Sequence, residues 1–228
     1  MQKAPSGIHV IRPSQRVPHP LDRITGRIAP RFSDLGGPGT VMSPLILVGA
    51  LSVAAAAGMH PMVRAAFAGQ PPGVGTGMQS WLWLLAVLSP ALALAKALIL
   101  GAAAWAVLVL TAEGARLRVV TSAFLYGEVI LALQGVWMAA VLHVRGVGSV
   151  AEPLDLRVAS GIAEFIGNAH PALLALSQGA SVFHLAWVTF LTLALASAAG
   201  TTKVRGFAAA GTAWSLMTGI GVVRALFS

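Results

Sequence analysis

The stretch Val41-Met-Ser-Pro-Leu-Ile-Leu-Val-Gly-Ala-Leu-Ser-Val53 continues to His60 without a single carboxylate, lysine or arginine. About 20 consecutive apolar residues are enough to cross a ~30 Å hydrocarbon core as an α-helix. This stretch therefore predicts a transmembrane span over residues 41–60. It also predicts that the chain is a membrane protein, and the stretches on either side of residues 41–60 are interpreted on that basis.

The composition of the whole chain agrees with this location. Of 228 residues, 57% are hydrophobic and only 10% are charged, whereas soluble domains carry about 25% charged residues. So few ionic groups cannot cover a water-exposed surface. Cysteine is absent, which excludes disulfides and thiolate metal sites. The net charge of +8 does not indicate nucleic-acid binding, because the basic residues fall in predicted loops and are not interleaved with aromatic residues.

Four further spans are predicted downstream, and with the first they give an all-α, polytopic bundle of five transmembrane helices. They cover about residues 88–110, 120–142, 180–199 and 206–226. Residues 81–111 are too long for one crossing and too short for two, so 80–88 is expected to form a lead-in that kinks at Pro90. Residues 61–79 are rich in Gly and Pro and are predicted as a loop. The loop includes Gly73-Val-Gly-Thr-Gly77, which we interpret as a linker and not as a nucleotide-binding loop.

The distribution of Lys and Arg predicts the orientation of this bundle. Ten of these residues fall on the side of the N-terminus and four on the opposite side. Because cytoplasmic loops carry the excess of Lys and Arg, we expect the N-terminus in the cytoplasm and the C-terminus outside. In the long polar segment 143–179, the apolar piece 171–177 is too short to span, and whether it is re-entrant stays open.

Residues 1–40 form a Pro-rich, basic tail ahead of the membrane domain 41–228. Within it, residues 23–35 combine an apolar row with a basic row at helical spacing. The basic row consists of Arg23, Arg27 and Arg31. This pattern is typical of an interfacial helix whose arginines contact anionic lipid headgroups or a partner protein; the alternative is a basic loop held in the cytoplasm by its charge.

A stripe of small residues runs along the last span. Gly211, Ser215 and Gly219 recur every four residues and would let another helix approach closely. Small residues also occur in spans three and four. We interpret the stripe as a surface for helix packing within the bundle, and the alternative is the seam of a homo-oligomer.

Two charged residues, Lys96 and Glu128, fall at membrane depth in spans two and three. An unpaired charge there costs on the order of 3 kcal/mol or more, so each needs a partner. Their depths differ by about 6 Å at 1.5 Å per residue, and we expect them to face each other inside the bundle, with Tyr126 and Gln134 able to join the network. The pair is interpreted as a structural pin; the alternative is a proton or ion relay.

We expect no metal, cofactor or enzyme activity. His60, His143, His170 and His184 all map to the outer side, but they lack the spacing of a metal site. Haem b held between His143 and His184 remains an alternative. The sequence contains no Gly-x-Ser-x-Gly, His-Glu-x-x-His or Gly-x-x-x-x-Gly-Lys-Ser/Thr motif.

Several soft motifs resemble one membrane-protein family. They are Met42-Ser-Pro-Leu-Ile-Leu47, Leu94-Ala-Lys-Ala-Leu-Ile-Leu-Gly101, Arg118-Val-Val-Thr-Ser-Ala-Phe-Leu-Tyr-Gly-Glu128 and Phe183-His-Leu-Ala-Trp187. In this order, over about residues 24–226, they resemble the bacterial branch of the Yip (Ypt/Rab-interacting protein) family. The Asp-Leu-Tyr-Gly-Pro signature of eukaryotic members is absent, and its nearest equivalent is Leu125-Tyr-Gly-Glu128.

The resemblance implies a five-span fold in a bacterial inner membrane and a non-enzymatic role. That role would be membrane organisation, scaffolding or recruitment of a membrane protein partner. Two alternatives from other classes stay open: a small transport or permeation subunit that uses Lys96 and Glu128, and a haem-binding membrane anchor subunit.

Overall fold

The structure is a computed structural model. It describes residues 39–71, 73–111, 115–156, 158, 173, 176–177 and 179–227. The predictions for the N-terminal tail with Arg23, Arg27 and Arg31, for His170, and for most of the piece 171–177 lie outside the described residues.

The described part of the chain contains five long α-helices, further helical residues at 173, 176 and 177, and no β-strand, which confirms the all-α class. The helices are α1 (Gly39–Ala66), α2 (Val74–Thr111), α3 (Leu117–Arg145), α4 (Val182–Ala198) and α5 (Lys203–Leu226). Two short 3₁₀ turns, Val147–Ser149 and Pro153–Leu156, follow α3. Helices α1, α2, α3 and α5 are long and apolar enough to cross a membrane, whereas α4 has only 17 residues. These lengths indicate an integral membrane protein.

The predicted loop 61–79 is wrong at both ends. Helix α1 continues through Pro61 to Ala66, and α2 already begins at Val74. The extension of α1 is stabilised by packing, since Met62 is buried in a small apolar cluster with Ala66, Leu142 and Val150. Gly75 and Gly77 lie in the first turn of α2, and the Gly77 N–H donates to the Gly73 carbonyl oxygen at 2.9 Å, which closes this turn.

The predicted lead-in at 80–88 is likewise part of a helix and not a separate segment. Helix α2 is a single helix of 38 residues with Pro90 inside it. At 1.5 Å per residue it is about 57 Å long, well beyond a ~30 Å hydrocarbon layer. Pro90 fits beside Gly49 of α1 because glycine has no side chain. A Cβ added at Gly49 would lie only 3.1 Å from Pro90 Cγ.

Helices α2, α3, α4 and α5 pack side by side in a ring, and α1 packs on the outside against α2 and α3. The ring encloses one core of buried apolar side chains. Its members include Leu100, Ala104, Leu108, Phe124, Leu125, Trp187, Leu191, Leu195, Ala209 and Ala213. We call the end of the bundle where α3 begins the Arg116 end, and the end where α3 stops the Gly146 end.

Helix α4 is too short to reach the Gly146 end. It stops near the Arg116 end, where Ala199 shares the core with Leu108 and Val120. Its 17 residues extend about 26 Å, compared with about 44 Å for the 29 residues of α3. Helix α4 therefore begins roughly 18 Å short of the Gly146 end, inside a ~30 Å hydrocarbon layer centred on α3.

The interpretation of the α5 stripe as a packing surface within the bundle is wrong for the single chain. A Cβ at Gly211 or Gly219 would meet nothing within 4 Å, and Ser215 is exposed. Helix α5 instead meets α4 through Gly206, where a Cβ would clash with the Thr192 carbonyl oxygen. The buried residues of α5 are Gly206, Ala209, Ala210, Ala213 and Thr218, so the stripe lies on the outward face.

Candidate functional site

An ion pair lies inside the bundle, near the middle of α2 and α3. The Lys96 Nζ donates a hydrogen bond to Glu128 Oε2 at 3.0 Å. Glu128 is 11 residues, or about 17 Å, from the start of α3 and about 26 Å from its end. The pair therefore sits at membrane depth, where an ionisable residue marks a functional site by default.

The two partners are buried to different extents. The Glu128 side chain is 8% exposed, whereas that of Lys96 is 32% exposed. The second carboxylate oxygen, Glu128 Oε1, is buried and has no hydrogen-bond partner among the described residues. Neither Tyr126 nor Gln134 therefore bonds to this oxygen, although both lie on the same helix as Glu128.

A tryptophan of α4 packs directly beside this carboxylate's helix. Trp187 is fully buried and meets Phe124 edge to face, with ring centroids 5.7 Å apart. It fits against Gly127, where a Cβ would lie only 2.8 Å from the indole Nε1. That Nε1 is itself buried without a partner, so a second unsatisfied polar atom lies within the neighbourhood of Glu128.

The first turn of α4 adds a serine and a histidine, at roughly 18 Å from the Gly146 end compared with about 26 Å for Glu128. Ser181 is 1% exposed and caps α4, its Oγ accepting the backbone N–H of His184 at 3.2 Å. The same Oγ lies 2.7 Å from His184 Nδ1. His184 shares a helix face with Trp187, one turn away.

The structure does not bring His143 and His184 together. His143 lies in the last turn of α3, and its Nδ1 is 3.1 Å from the Ala139 carbonyl oxygen of its own helix. His184 lies in the first turn of α4, roughly 18 Å short of that end of the bundle. His60 packs instead against Trp83, with ring centroids 6.3 Å apart. The arrangement does not fit haem held between His143 and His184.

Within the described residues no three His, Cys, Asp or Glu side chains are grouped closely enough to hold a metal ion. A lateral cavity of about 270 Å³ opens between α1, α2 and α3. Its lining is almost wholly apolar and includes Ala55, Met59, Leu85, Leu131 and Gly135. Among its lining residues Ser52 supplies a hydroxyl group, and none is a carboxylate, a histidine or a lysine.

Comparison of the chain with protein-family models, with curated proteins and with solved structures gives no match. The resemblance to the Yip family therefore stays a prediction from the sequence motifs.

Sequence reasoning singled out Lys96 and Glu128 but missed the groups that surround them. The sequence predicts His184 only as an alternative haem ligand, and it does not predict Ser181, Trp187 or Gly127 as site residues. The signal for Ser181 was available, since a serine directly before an apolar run is typical of a helix N-cap. No pattern in the sequence indicates that α4 begins in the membrane interior.

Proposed function

We propose that this protein is a non-enzymatic, Yip-like integral membrane protein that acts by associating with another membrane protein. The proposal combines the motif resemblance with one structural observation, the outward position of the stripe Gly211, Ser215 and Gly219. Membrane organisation or partner recruitment needs a surface that recognises another helix within the bilayer. In lipid, such recognition depends on close backbone approach and not on hydrophobicity.

The outward face of α5 has this property. Gly211 and Gly219 have open space where a side chain would stand, and Ser215 between them is exposed. Three small residues spaced by four lie on nearly one line along a helix. A facing helix can therefore come within van der Waals distance of the α5 backbone, and Ser215 can donate a hydrogen bond across the contact.

The proposed orientation, with the N-terminus in the cytoplasm of a bacterial cell, places the basic tail with Arg23, Arg27 and Arg31 beside anionic headgroups. In this proposal the tail binds lipid or a cytoplasmic partner, while α5 binds a partner within the membrane. Five crossings agree with the segregation of Lys and Arg.

Enlarging the stripe tests the proposal. Gly211→Leu fills the open face of α5 without touching the bundle, so the folded chain should persist while its complex dissociates. Ala102→Leu is the matched control, since Ala102 is exposed on α2. Native gel electrophoresis of mildly solubilised membranes should show a smaller complex for Gly211→Leu and an unchanged one for Ala102→Leu. A complex whose size is unaffected by Gly211→Leu would contradict the proposal.

A cross-linking measurement identifies the kind of partner. The chain has no cysteine, so Ser215→Cys introduces a single thiol on the stripe. Ile99→Cys is the control, because Ile99 is exposed and, like Ser215, lies 12 residues from the Arg116 end of its helix. Oxidation to a disulfide-linked pair of chains only in Ser215→Cys would show that the partner is a second copy. A smaller complex for Gly211→Leu without that disulfide would show a different membrane protein.

A further inference from the structure

The lateral cavity between α1, α2 and α3 is apolar and open to its surroundings. Six of its ten lining residues are glycine, alanine or serine, and the others are Met59, Leu82, Leu85 and Leu131. Leu85 stands at the mouth of the cavity, because it lines the space and is nevertheless 52% exposed. Small side chains on all three helices therefore leave about 270 Å³ unfilled beside an exposed leucine.

The cavity lies at hydrocarbon depth, in the half of the layer that faces the Gly146 end. Its α3 residues, Leu131, Ala132 and Gly135, are 10–14 residues from Arg145, or about 15–21 Å. A ~30 Å hydrocarbon layer centred on α3 begins about 7 Å from that end and reaches its midplane at about 22 Å. The surroundings of the cavity are therefore the acyl chains of one leaflet.

Neither a void nor water suits this space. Protein interiors contain few voids larger than a water molecule, because the atoms that line a void lose dispersion contacts. A bound water molecule needs about two to four polar partners, and Ser52 carries the one hydroxyl group among the lining side chains. The lining therefore favours an apolar occupant.

The dimensions of the cavity fit a single hydrocarbon chain. From Ser52 to Met59 the cavity follows seven residues of α1, or about 10.5 Å. A volume of about 270 Å³ over that length corresponds to a cross-section of roughly 26 Å² and a width of about 6 Å. Carbon atoms pack best at about 3.5–4.0 Å, so one chain of carbons fits. An α-helix with its side chains is about 10–12 Å across and does not.

A basic side chain lies beyond the cavity, at the level expected for headgroups. Arg64 is exposed in the last turn of α1 and forms no ion pair with another described residue. It lies just over two turns beyond the lining residue Ala56 and about 8 Å along the axis from Met59. Between Met59 and Arg64, His60 packs against Trp83 of α2 with ring centroids 6.3 Å apart. Because tryptophan is enriched at membrane interfaces, this contact marks the level where the cavity ends and the headgroups begin.

We propose that the cavity binds one acyl chain of an anionic phospholipid, whose phosphate pairs with Arg64. The apolar lining and the width of the cavity fit the chain. The guanidinium group matches phosphate oxygens with two parallel N–H donors, so it favours a negatively charged headgroup. The bound chain completes the packing of α1, the helix outside the ring, against α2 and α3. This inference is independent of the association proposed for α5.

Photolabelling of the full chain in lipid vesicles tests binding of the acyl chain. The probe is phosphatidylglycerol with a diazirine near the middle of one acyl chain. Light expels dinitrogen from the diazirine, and the resulting carbene inserts into a neighbouring C–H bond, which peptide mass spectrometry locates. Leu92 is the internal control, because it lies two turns from Leu85 on α2 and is equally exposed at 52% but does not line the cavity. We expect severalfold more adduct at Leu85 than at Leu92.

Filling the cavity should remove this excess. Ala132→Leu on α3 and Ser52→Leu on α1 each add carbon atoms at a lining position. Each should lower the ratio of adduct at Leu85 to adduct at Leu92 severalfold, and agreement between two helices distinguishes filling of the cavity from local damage. Ala140→Leu is the matched control, since Ala140 is exposed on α3 outside the cavity, and it should leave the ratio unchanged.

Two results would overturn the proposal. If the ratio is the same in the wild-type chain and in both filled variants, the probe reports only the surrounding bilayer and no chain enters the cavity. If Leu85 stays unlabelled while Leu92 is labelled, another protein chain covers the mouth of the cavity.

A second probe tests the selection of the headgroup. Phosphatidylcholine with the same photoreactive chain has no net charge and should give severalfold less adduct at Leu85 than phosphatidylglycerol. Arg64→Gln should abolish this difference. Arg224→Gln is the matched control, an exposed arginine in the last turn of α5, and should retain it. Equal labelling by the two probes in the wild-type chain, or loss of the difference in both variants, would contradict the pairing of phosphate with Arg64.

Discussion

A methyl group at Gly206 should separate α4 from α5. The Cβ of an alanine there would clash with the Thr192 carbonyl oxygen and lie 3.0 Å from both Ala196 Cβ and Ala196 N. Carbon atoms pack best at about 3.5–4.0 Å, so the two helices must move apart by about 0.5 Å at Ala196 and by more at Thr192. A gap of 0.5–1 Å forfeits about a quarter to a half of each neighbouring contact.

The resulting loss should be large for one methyl group. Overpacking typically costs about 1–3 kcal/mol, and we expect Gly206→Ala to lie near the upper limit because backbone atoms, which cannot rotate away, form the obstacle. The assay is unfolding in mixed micelles with rising dodecyl sulfate content, followed by circular dichroism. Gly211→Ala is the matched control on the same helix, because its Cβ meets nothing within 4 Å. If Gly206→Ala were as stable as Gly211→Ala, the described α4–α5 contact would be incorrect.

Three further predictions concern other parts of the molecule. Gly127→Ala would place a Cβ 2.8 Å from Trp187 Nε1, so we expect the free energy of unfolding to fall by about 2 kcal/mol and the tryptophan emission to shift. Gly135→Ala, whose Cβ would make a 3.3 Å contact, should lose less stability. Equal losses in the two variants would contradict the packing of Trp187 against Gly127. Lys96→Met leaves a buried carboxylate without its partner and should lower the free energy of unfolding by about 3 kcal/mol in the same assay. The double variant Lys96→Met/Glu128→Gln should recover part of that loss. A double variant no more stable than the single one would be evidence against a direct pair. The backbone N–H groups of Glu152 and Ala151 each donate to Asp155 Oδ2 at 2.8 Å, and these bonds hold the pKa of Asp155 below its ordinary 3.8. The ionised carboxylate should therefore stabilise this loop above pH 3.8. This stabilisation should be lost as the pH falls through the lower pKa of the folded state. Amide hydrogen exchange at Ala151 and Glu152 measures this, and Asp155→Asn should remove the dependence; unchanged protection in Asp155→Asn would contradict it.

The helical class could be predicted from the sequence because long charge-free stretches have only one stable form in lipid. The limits of the helices were harder to predict. Pro61 and the glycines near Val74 favour a loop locally. The packing of Met62 nevertheless extends α1 to Ala66, and the first turn of α2 tolerates glycine, so α2 begins at Val74.

The proximity of Lys96 and Glu128 also followed from physical argument. Each charge needs a partner in the membrane, and a short connection between two helices places both at a similar depth. The structure has them in contact at 3.0 Å.

The inward face of α5 could not be predicted in this way. Lipid-facing and core-facing residues are both apolar, so the hydrophobic periodicity that orients a helix in a soluble protein is weak here. Gly206 and Gly211 look equivalent in the sequence, and only the position of α4 distinguishes them. The start of α4 in the membrane interior depends in the same way on tertiary contacts, chiefly those of Trp187 with Gly127 and Phe124.

The most direct test of this account is the depth at which α4 begins. Val182, the first residue of α4, is 67% exposed on the outside of the bundle, and a spin label at Val182→Cys would report its surroundings. Val144→Cys, near the end of α3 and 89% exposed, is the control for the interface. Molecular oxygen concentrates in the hydrocarbon and should dominate the paramagnetic relaxation of the label at position 182. A water-soluble nickel complex should dominate the relaxation of the label at position 144. Dominance of the nickel complex at position 182 would place the start of α4 at the membrane surface and contradict this account.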